Sequence, residues 1–321
     1  MKMWEEAPIT ELFGTQIYLF GLYCAIGIVC ATAAIFVLCR ANQLKKGTAS
    51  LLSCASIIGG ILVSRLIYCI GKSIINDEFP FSAWIHLSSG GWSLFGMITG
   101  VFCAAWICEK ISKEKNRILL DVSACALPLV IAAERFAERL FSEFNISREL
   151  SPGTFPEGTF LAIQDTDVSY MATYLLAAIA SVILFIILVF FLTRDKREDG
   201  DLWILFMILC GAGGILLESL RYDHHLEFSF VRFQQVIAAI FLVIGVVLAG
   251  IRNRGVHKGF FRTAAISLPL VIGACGGIEY ALDRTTLSHY LLYLLMTVAL
   301  AVPVTFGILL LRKREKGAET L

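Results

Sequence analysis

The sequence predicts an all-α integral membrane protein with about nine transmembrane helices. Hydrophobic residues make up 57% of the 321 residues and charged residues only 17%, and the mean hydropathy is +0.76. Soluble domains contain about 25% charged residues. Lipid leaves helices and closed barrels as the only spanning structures, because every backbone polar group must be paired internally.

The first four candidate spans lie near residues 15–38, 49–71, 92–109 and 118–141. Each is long enough, or nearly so, to cross about 30 Å of hydrocarbon as a helix. Glycine and polar residues interrupt the first two. The fourth is uncharged between Asp121 and the stretch "IAAERFAERLFSEFN".

The remaining five candidate spans lie near residues 170–193, 202–220, 233–251, 263–282 and 287–311. The sixth span contains a glycine-rich segment, "GAGGILLESLR". The last two contain long apolar runs and lead into the basic tail "RKREK".

Every second loop is basic, which predicts the orientation of the chain. Lys and Arg collect in "RANQLKKG", "EKISKEKNR", "TRDKRED", "IRNRGVHKGFFR" and the C-terminal tail. Short basic loops stay on the cytoplasmic side of a membrane. We therefore expect the N-terminus outside and the C-terminus in the cytoplasm. The first span lacks a basic n-region and follows Glu5 and Glu6, which is not typical of a cleavable signal peptide.

Neither the cysteines nor any recognisable nucleotide- or metal-binding motif indicates a cofactor. All ten cysteines fall within or at the edge of the predicted spans, so neither a disulfide framework nor a zinc site is expected. The sequence contains no P-loop, GxGxxG or HExxH pattern. We expect no metal ligands and no bound cofactor.

Five charged residues close the fourth span, namely Glu134, Arg135, Glu138, Arg139 and Glu143. At about 100° per residue they cover roughly half of the helix circumference. The predicted topology places this ionic face at the outer end of the helix.

Two further charged groups are expected at a similar depth. Glu218 and Arg221 are spaced i, i+3 at the outer end of the sixth span, and Arg65 lies in the outer half of the second. An unpaired charge inside a span costs at least about 2.5–3.5 kcal/mol. Guanidinium groups bind phosphate through two parallel hydrogen bonds, so an anionic phospholipid is the first ligand to consider. The alternative is that these side chains reach the interface and pair with one another, holding helices together without a ligand.

The stretch "ALPLVIAAERFAERLFSE" resembles the fourth helix of the prolipoprotein diacylglyceryl transferase family. Four more stretches are similar to family segments in the same order: "IYLFGLYCAIGIVCATAAIFVLCRA", "GGILVSRLIY", "SSGGWSLFGMITG", and "GGILLESLRYDHH" followed by "FQQVIAAIFLVIG". The resemblance covers about residues 14–250. It implies a core of seven helices, to which this chain adds two.

The resemblance implies transfer of a diacylglyceryl group from phosphatidylglycerol to the lipobox cysteine of a secreted lipoprotein precursor, with release of glycerol phosphate. It also implies a bacterial plasma membrane location. The catalytic residues it implies are Arg135, Glu143, Glu218 and Arg221. The implied phospholipid-binding residues are Arg65, Gly91, Ser93, Gly96, Arg135 and Gln235.

Four family hallmarks are replaced in this chain. Phe95 stands where the family carries a histidine, Glu138 an asparagine, Gly214 an arginine and Phe20 a tyrosine. A thiol with a pKa of about 8.5 needs a base or a lowered pKa to attack carbon. The loop residues His224 and His225 are candidate substitutes for the missing base. Two alternatives stay open: a catalytically degenerate homologue that binds lipid or a partner protein, and a transporter of lipid or a small molecule.

The predicted domain organisation follows from these observations. Residues 1–255 form the transferase-like core, with an outer arm at about 74–90 and a small outer head at about 142–169. Residues 256–321 form two additional helices and a basic cytoplasmic tail.

Overall fold

The protein is largely helical in the computed structural model of the full chain. The structure describes residues 9–12, 15–75, 84, 91–140, 149–150, 153, 155–165, 168–193, 198–221, 226–252 and 258–312. Within these ranges nine helices are long and apolar enough to cross a membrane, which confirms the predicted fold class. They are α1 (Leu19–Ala41), α2 (Thr48–Ile75), α3 (Leu94–Ser112), α4 (Asn116–Ala137), α5 (Thr173–Leu192), α6 (Asp201–Ser219), α7 (Phe233–Arg252), α8 (Lys258–Arg284) and α9 (His289–Arg312).

Local signals set the ends of α3. The Ser93 hydroxyl caps its N-terminus by accepting a hydrogen bond from the Gly96 backbone N–H at 3.0 Å. Lys113 ends the helix in a left-handed conformation (φ +57°), and its N–H donates to the Glu109 carbonyl at 2.9 Å. The chain then enters α4 after two more residues.

Short antiparallel hairpins lie between some of the helices. They pair β1 (Thr10–Leu12) with β2 (Thr15–Ile17), β3 (Ala162–Asp165) with β4 (Val168–Met171), and β5 (Glu227–Phe228) with β6 (Val231–Arg232). In the second hairpin Ala162 pairs with Met171 and Asp165 with Val168. The sequence did not predict these strands, because two to four residues are too few to establish an alternating pattern.

The described helices fall into two compact units. The first unit comprises Met1–Ile187 and Leu220–His225, and contains α1–α4 and most of α5. The second comprises Leu188–Ser219 and Leu226–Leu321, and contains α6–α9. The predicted domain boundary near residue 255 stays a prediction.

The first unit contains two helix pairs in which glycine brings the backbones together. A Cβ added to Gly100 of α3 would lie 2.1 Å from the carbonyl oxygen of Gly59 in α2. A Cβ added to Gly27 of α1 would lie 2.6 Å from the Cβ of Ala133 in α4. Small residues permit this close approach between membrane helices. We refer to α2–α3 and α1–α4 as the two helix pairs of the first unit.

The second unit joins its four helices by similar close contacts. A Cβ on Gly211 of α6 would lie 2.6 Å from the backbone nitrogen of Leu242 in α7. The Tyr293 hydroxyl of α9 donates to the Ser219 carbonyl of α6 at 3.1 Å. The aromatic rings of Phe230 and Tyr280 pack edge to face at 5.5 Å. The additional helices α8 and α9 therefore pack within the same unit as α6 and α7.

A buried ion pair joins the start of α6 to the end of α7. Arg252 Nη1 lies 3.4 Å from Asp201 Oδ1, and Arg252 Nη2 lies 3.6 Å from Glu198 Oε2. The side chains of Asp201 and Arg252 are 5% and 11% exposed, whereas that of Glu198 is 50% exposed. The carboxylate at the N-terminus of α6 is also favoured by the helix dipole.

Candidate functional site

Three buried charged side chains meet in the first unit. Arg135 Nη1 and Arg221 Nη1 each donate to the same oxygen, Glu138 Oε1, and both distances are 2.7 Å. The side chains of Arg135, Glu138 and Arg221 are 8%, 10% and 11% exposed. We call this group the arginine–glutamate cluster. The Glu138 carboxylate thus lies between two guanidinium groups, and all three side chains are largely shielded from water.

The end of α4 sets the geometry of this cluster. The α-helix stops at Ala137, and Glu138–Leu140 form a 3₁₀ turn. Arg135 and Glu138 are therefore three residues apart on the same side of the chain. A second carboxylate approaches Arg135, since Glu134 Oε2 lies 3.5 Å from Arg135 Nε.

Arg139, on the same turn, is in a different environment. Its side chain is exposed, and its guanidinium carbon lies 5.5 Å from the centre of the Phe136 ring. The Phe136 ring in turn packs edge to face on Tyr23 and on Tyr174. The predicted ionic face is therefore divided into a buried part around Arg135 and an exposed part at Arg139.

Arg65 is buried in the first unit, where backbone and aromatic groups surround it. Its Nη1 donates to the Gly91 carbonyl at 2.9 Å, and its guanidinium carbon lies 5.6 Å and 5.9 Å from the ring centres of Tyr68 and Trp92. Gly91 has φ +82°, and a Cβ there would lie 2.3 Å from the Tyr68 ring. Both the conformation and the packing at this position require glycine.

Ser93 and Gly96 attach the start of α3 to α2. The Ser64 hydroxyl accepts from the Ser93 N–H at 2.9 Å and donates to the Ser93 carbonyl at 2.8 Å. A Cβ on Gly96 would lie 2.8 Å from Ser64 Cα. These contacts explain the residue types at both positions by packing, and the lipid contacts predicted for Gly91, Ser93 and Gly96 remain part of the proposal below.

Gln235 is the centre of a second polar group, which lies in the second unit. Its Nε2 donates to Glu279 Oε1 at 2.7 Å and to the Ile215 carbonyl at 3.3 Å, and its Oε1 accepts from the Arg232 N–H at 2.9 Å. Arg232 Nη1 donates to the Glu218 carbonyl at 2.8 Å. Glu279 thus connects the additional helix α8 to the polar start of α7.

The Glu279 contact predicts a loss of stability when the carboxylate is removed. Glu279→Ala should destabilise the second unit by about 1–3 kcal/mol, because Gln235 Nε2 then loses its 2.7 Å partner in a buried setting. Asp283→Ala is the matched control on the same helix, since the Asp283 side chain is 51% exposed and its loss should change little. Thermal melts of purified protein measure both. Equal melting temperatures for the two variants would contradict this role of Glu279.

The structure places the predicted site residues in these groups. Arg135 and Arg221 both donate to the same oxygen of Glu138. The Gln235 side chain accepts a hydrogen bond from the Arg232 backbone N–H, and the Glu218 carbonyl accepts one from the Arg232 side chain. Glu143, His224 and His225 lie outside the described residues. A single cavity lined by Arg65, Arg135, Glu143, Glu218 and Arg221 stays a prediction. The sequence analysis missed Arg232, although its charge next to the "FQQ" segment was a usable signal.

Phe95, which stands in place of a family histidine, is completely buried. Gly214 and Phe20 are both half-buried. Phe95 cannot exchange a proton. The position that would supply a general base by family resemblance is therefore part of the hydrophobic core in this protein.

A cavity of about 100 Å³ lies between the two helix pairs of the first unit. Its wall is almost entirely apolar, with Ile57 and Ile61 exposed at the rim. Three buried serine hydroxyls line it, those of Ser53, Ser56 and Ser123. None of the three has a hydrogen-bond partner among the residues that the structure describes.

The fold and the buried clusters are those of a multi-pass membrane protein in which paired arginine and carboxylate side chains are buried among the helices. The family model described as prolipoprotein diacylglyceryl transferase matches residues 8–251. The chain therefore belongs to the prolipoprotein diacylglyceryl transferase family, a family of membrane transferases. Helices α8 and α9 lie beyond the matched residues.

Three relatives in this family show how far their sequences have diverged from that of this chain. Each is named phosphatidylglycerol–prolipoprotein diacylglyceryl transferase. The protein of Clostridium novyi (strain NT) is 24% identical over 254 residues, which cover 77% of this chain and 97% of the relative. That of Clostridium tetani (strain Massachusetts / E88) is 25% identical over 247 residues, 75% of this chain and 95% of the relative. That of Fervidobacterium nodosum is 28% identical over 196 residues, 59% of this chain and 65% of the relative.

Proposed function

We propose that this protein transfers the diacylglyceryl group of phosphatidylglycerol to the thiol of a cysteine in a secreted lipoprotein precursor. One observation carries the proposal beyond family membership. Two buried guanidinium groups, those of Arg135 and Arg221, both donate to one carboxylate oxygen of Glu138 at 2.7 Å. The two arginines can thus reach a single anionic oxygen, and guanidinium groups bind phosphate oxygens by the same charge-assisted hydrogen bonds.

The chemistry of the transfer assigns a role to these arginines. The cysteine sulfur forms a bond to the terminal glyceryl carbon of the diacylglyceryl group, and the bond between that carbon and the phosphate oxygen breaks. The oxygen keeps the electron pair, so glycerol phosphate leaves with more negative charge than the diester carried. Arg135 and Arg221 stabilise that developing charge in a site that excludes water. The thiol proton passes to a base or to water, and His224 and His225 are our candidates for that base.

The other candidate residues support this centre in the proposal. Arg65 binds the headgroup together with the turn of Gly91, Ser93 and Gly96. Glu143 and Glu218 act with Arg135 and Arg221 as catalytic residues, and Gln235 contributes to phospholipid binding. We also propose that the protein lies in the bacterial plasma membrane with its N-terminus outside and its C-terminus in the cytoplasm, because the basic loops alternate in that sense. A C-terminal tag that is accessible from outside intact cells would contradict this orientation.

A transfer assay tests the function. Protein in nanodiscs that contain phosphatidylglycerol is incubated with a lipobox peptide, and mass spectrometry detects the peptide carrying a diacylglyceryl group. Arg135→Lys should slow transfer about 100-fold or more, because an ammonium cannot reproduce the planar two-pronged contact. Arg139→Lys is the matched control, since Arg139 lies four residues further along and is exposed, and its rate should stay within about threefold of wild type. Equal rates for the two variants would refute the role of Arg135.

The second candidate function is that of a family member that binds phospholipid without transferring it. The complete burial of Phe95, at the position of the family histidine, favours this alternative. Expression in cells depleted of their own transferase separates the two functions. Restored growth and lipidated precursor support the transferase, whereas bound phosphatidylglycerol without rescue supports the binding protein.

A further inference from the structure

Glu138 makes the contacts that a ligand phosphate would make. Its Oε1 accepts hydrogen bonds from Arg135 and Arg221 at 2.7 Å each. Charge-assisted hydrogen bonds from guanidinium to an anionic oxygen have lengths of about 2.7–2.9 Å. The Nη1 groups of both arginines are therefore already engaged by an anion of the protein itself.

The charges of the cluster limit what else can bind there. Arg135 and Arg221 carry two positive charges, and Glu138 and Glu134 carry two negative charges at 2.7 Å and 3.5 Å from the guanidinium nitrogens. These four described charges cancel. A phosphate diester entering beside Glu138 would add a further negative charge in a setting with little water, where repulsion is weakly screened. A phosphate that takes the Nη1 donors of Arg135 and Arg221 therefore has to displace Glu138 Oε1, which already accepts from both of them at 2.7 Å.

The position of Glu138 on the backbone allows such a displacement. Arg135 lies in the last turn of α4, whereas Glu138 begins the 3₁₀ turn of Glu138–Leu140. The Glu138 N–H still donates to the Glu134 carbonyl. The carboxylate can therefore leave the arginines by rotation about its side-chain bonds while the backbone stays in place.

We propose that Glu138 is an internal anion that competes with the phosphate of the ligand for Arg135 and Arg221, and so sets the affinity and charge selectivity of the site. The inference rests on the proposed function, which supplies a phosphate ester as the ligand. In the free protein Glu138 holds the two arginines together. In the bound protein the phosphate takes over one or both of these contacts.

Equilibrium binding to defined lipids tests this competition. Wild type, Glu138→Gln, Glu138→Asp and Glu134→Gln are placed in nanodiscs of phosphatidylcholine with increasing phosphatidylglycerol, and native mass spectrometry counts the bound lipid. A parallel series uses water-soluble glycerol phosphate in place of phosphatidylglycerol. This series separates recognition of a lipid headgroup from recognition of any phosphate ester. Thermal melts confirm that each variant is folded.

The expected result is a gain of binding in the glutamate variants. Glu138→Gln keeps an oxygen acceptor for both arginines but removes the charge, so half-saturation should occur at about tenfold less phosphatidylglycerol or lower. Glu138→Asp withdraws the carboxylate by one methylene and should give a smaller gain. Glu134→Gln is the matched control, because Glu134 touches one arginine at 3.5 Å, and it should change binding less than about threefold. Binding of phosphatidylcholine should not change.

Each other outcome counts against the proposal. Folded Glu138→Gln protein that binds phosphatidylglycerol no better than wild type would overturn it, as would equal gains in Glu134→Gln. Where Glu138→Gln is too unstable to purify, Glu138→Asp decides by the same measurement. The transfer assay keeps the two proposals distinct. If Glu138→Gln binds phosphatidylglycerol more tightly but wild type transfers nothing, the transferase is refuted and the competition stands. If wild type transfers the group but Glu138→Gln binds no more tightly, the competition is refuted and the transferase stands.

Discussion

Replacing Gly100 with leucine should prevent α2 from packing against α3 and remove most of the folded protein. A Cβ at this position would lie 2.1 Å from the Gly59 carbonyl oxygen, 2.6 Å from the Gly59 carbonyl carbon and 2.9 Å from the Gly60 nitrogen. All three atoms belong to the backbone, so no side chain can rotate away. We expect alanine to cost about 1–3 kcal/mol and leucine considerably more.

Gly213 supplies the control for this experiment. It is also a helical glycine, in α6, but no atom lies within 4 Å of a Cβ built there. Gly213→Ala should leave stability unchanged or slightly higher, because alanine favours the helix. Size-exclusion chromatography and thermal melts of detergent-solubilised protein compare the variants. A Gly100→Leu protein with the wild-type melting temperature would show that α2 and α3 are not in backbone contact.

Asp201→Ala should destabilise the second unit by about 3–5 kcal/mol. Asp201 and Arg252 are both buried, and removal of one partner of a buried ion pair leaves the other charge poorly compensated. Glu198 lies 3.6 Å from Arg252 and retains part of the compensation. We therefore expect the lower end of this range.

The companion variant Glu198→Ala should cost less than about 1 kcal/mol. Its side chain is 50% exposed, and exposed ion pairs contribute little. A double variant in which both Asp201 and Arg252 are replaced by leucine should recover much of the loss, since neither buried charge remains and Glu198 is half exposed. Thermal melts in one detergent measure the whole series. Equal effects of Asp201→Ala and Glu198→Ala would contradict the structural assignment of the buried pair.

The helices could be predicted from the sequence because the requirement for about 20 apolar residues per span is visible in composition alone. Their ends were less accurate. The second span was expected to end near residue 71, but α2 continues to Ile75. The hairpins were not predicted at all, because pairing between such short strands depends on the loops around them.

The sequence predicted several residues of the candidate site but not the contacts between them. Arg135 and Arg221 were assigned to one outer face from their places at the ends of two spans, and the structure brings them together. Glu138 was recognised as a departure from the family pattern. Its contact with Arg221 joins residues 83 positions apart, a relation that no local pattern contains. The same holds for Gln235 and Glu279, which are 44 positions apart.

The cavity between the two helix pairs has a mechanical consequence for the first unit. Within α2–α3 and within α1–α4 the helices approach closely at Gly100 and Gly27, where an added Cβ would clash with the neighbouring helix. The cavity of about 100 Å³ lies between the pairs and is open on the side of Ile57 and Ile61. Pressure favours the state with less internal void, and a change in bilayer thickness alters helix tilt. Because the glycine contacts lie within the pairs and the open space lies between them, both stresses should act first on the seam at Ser53, Ser56 and Ser123.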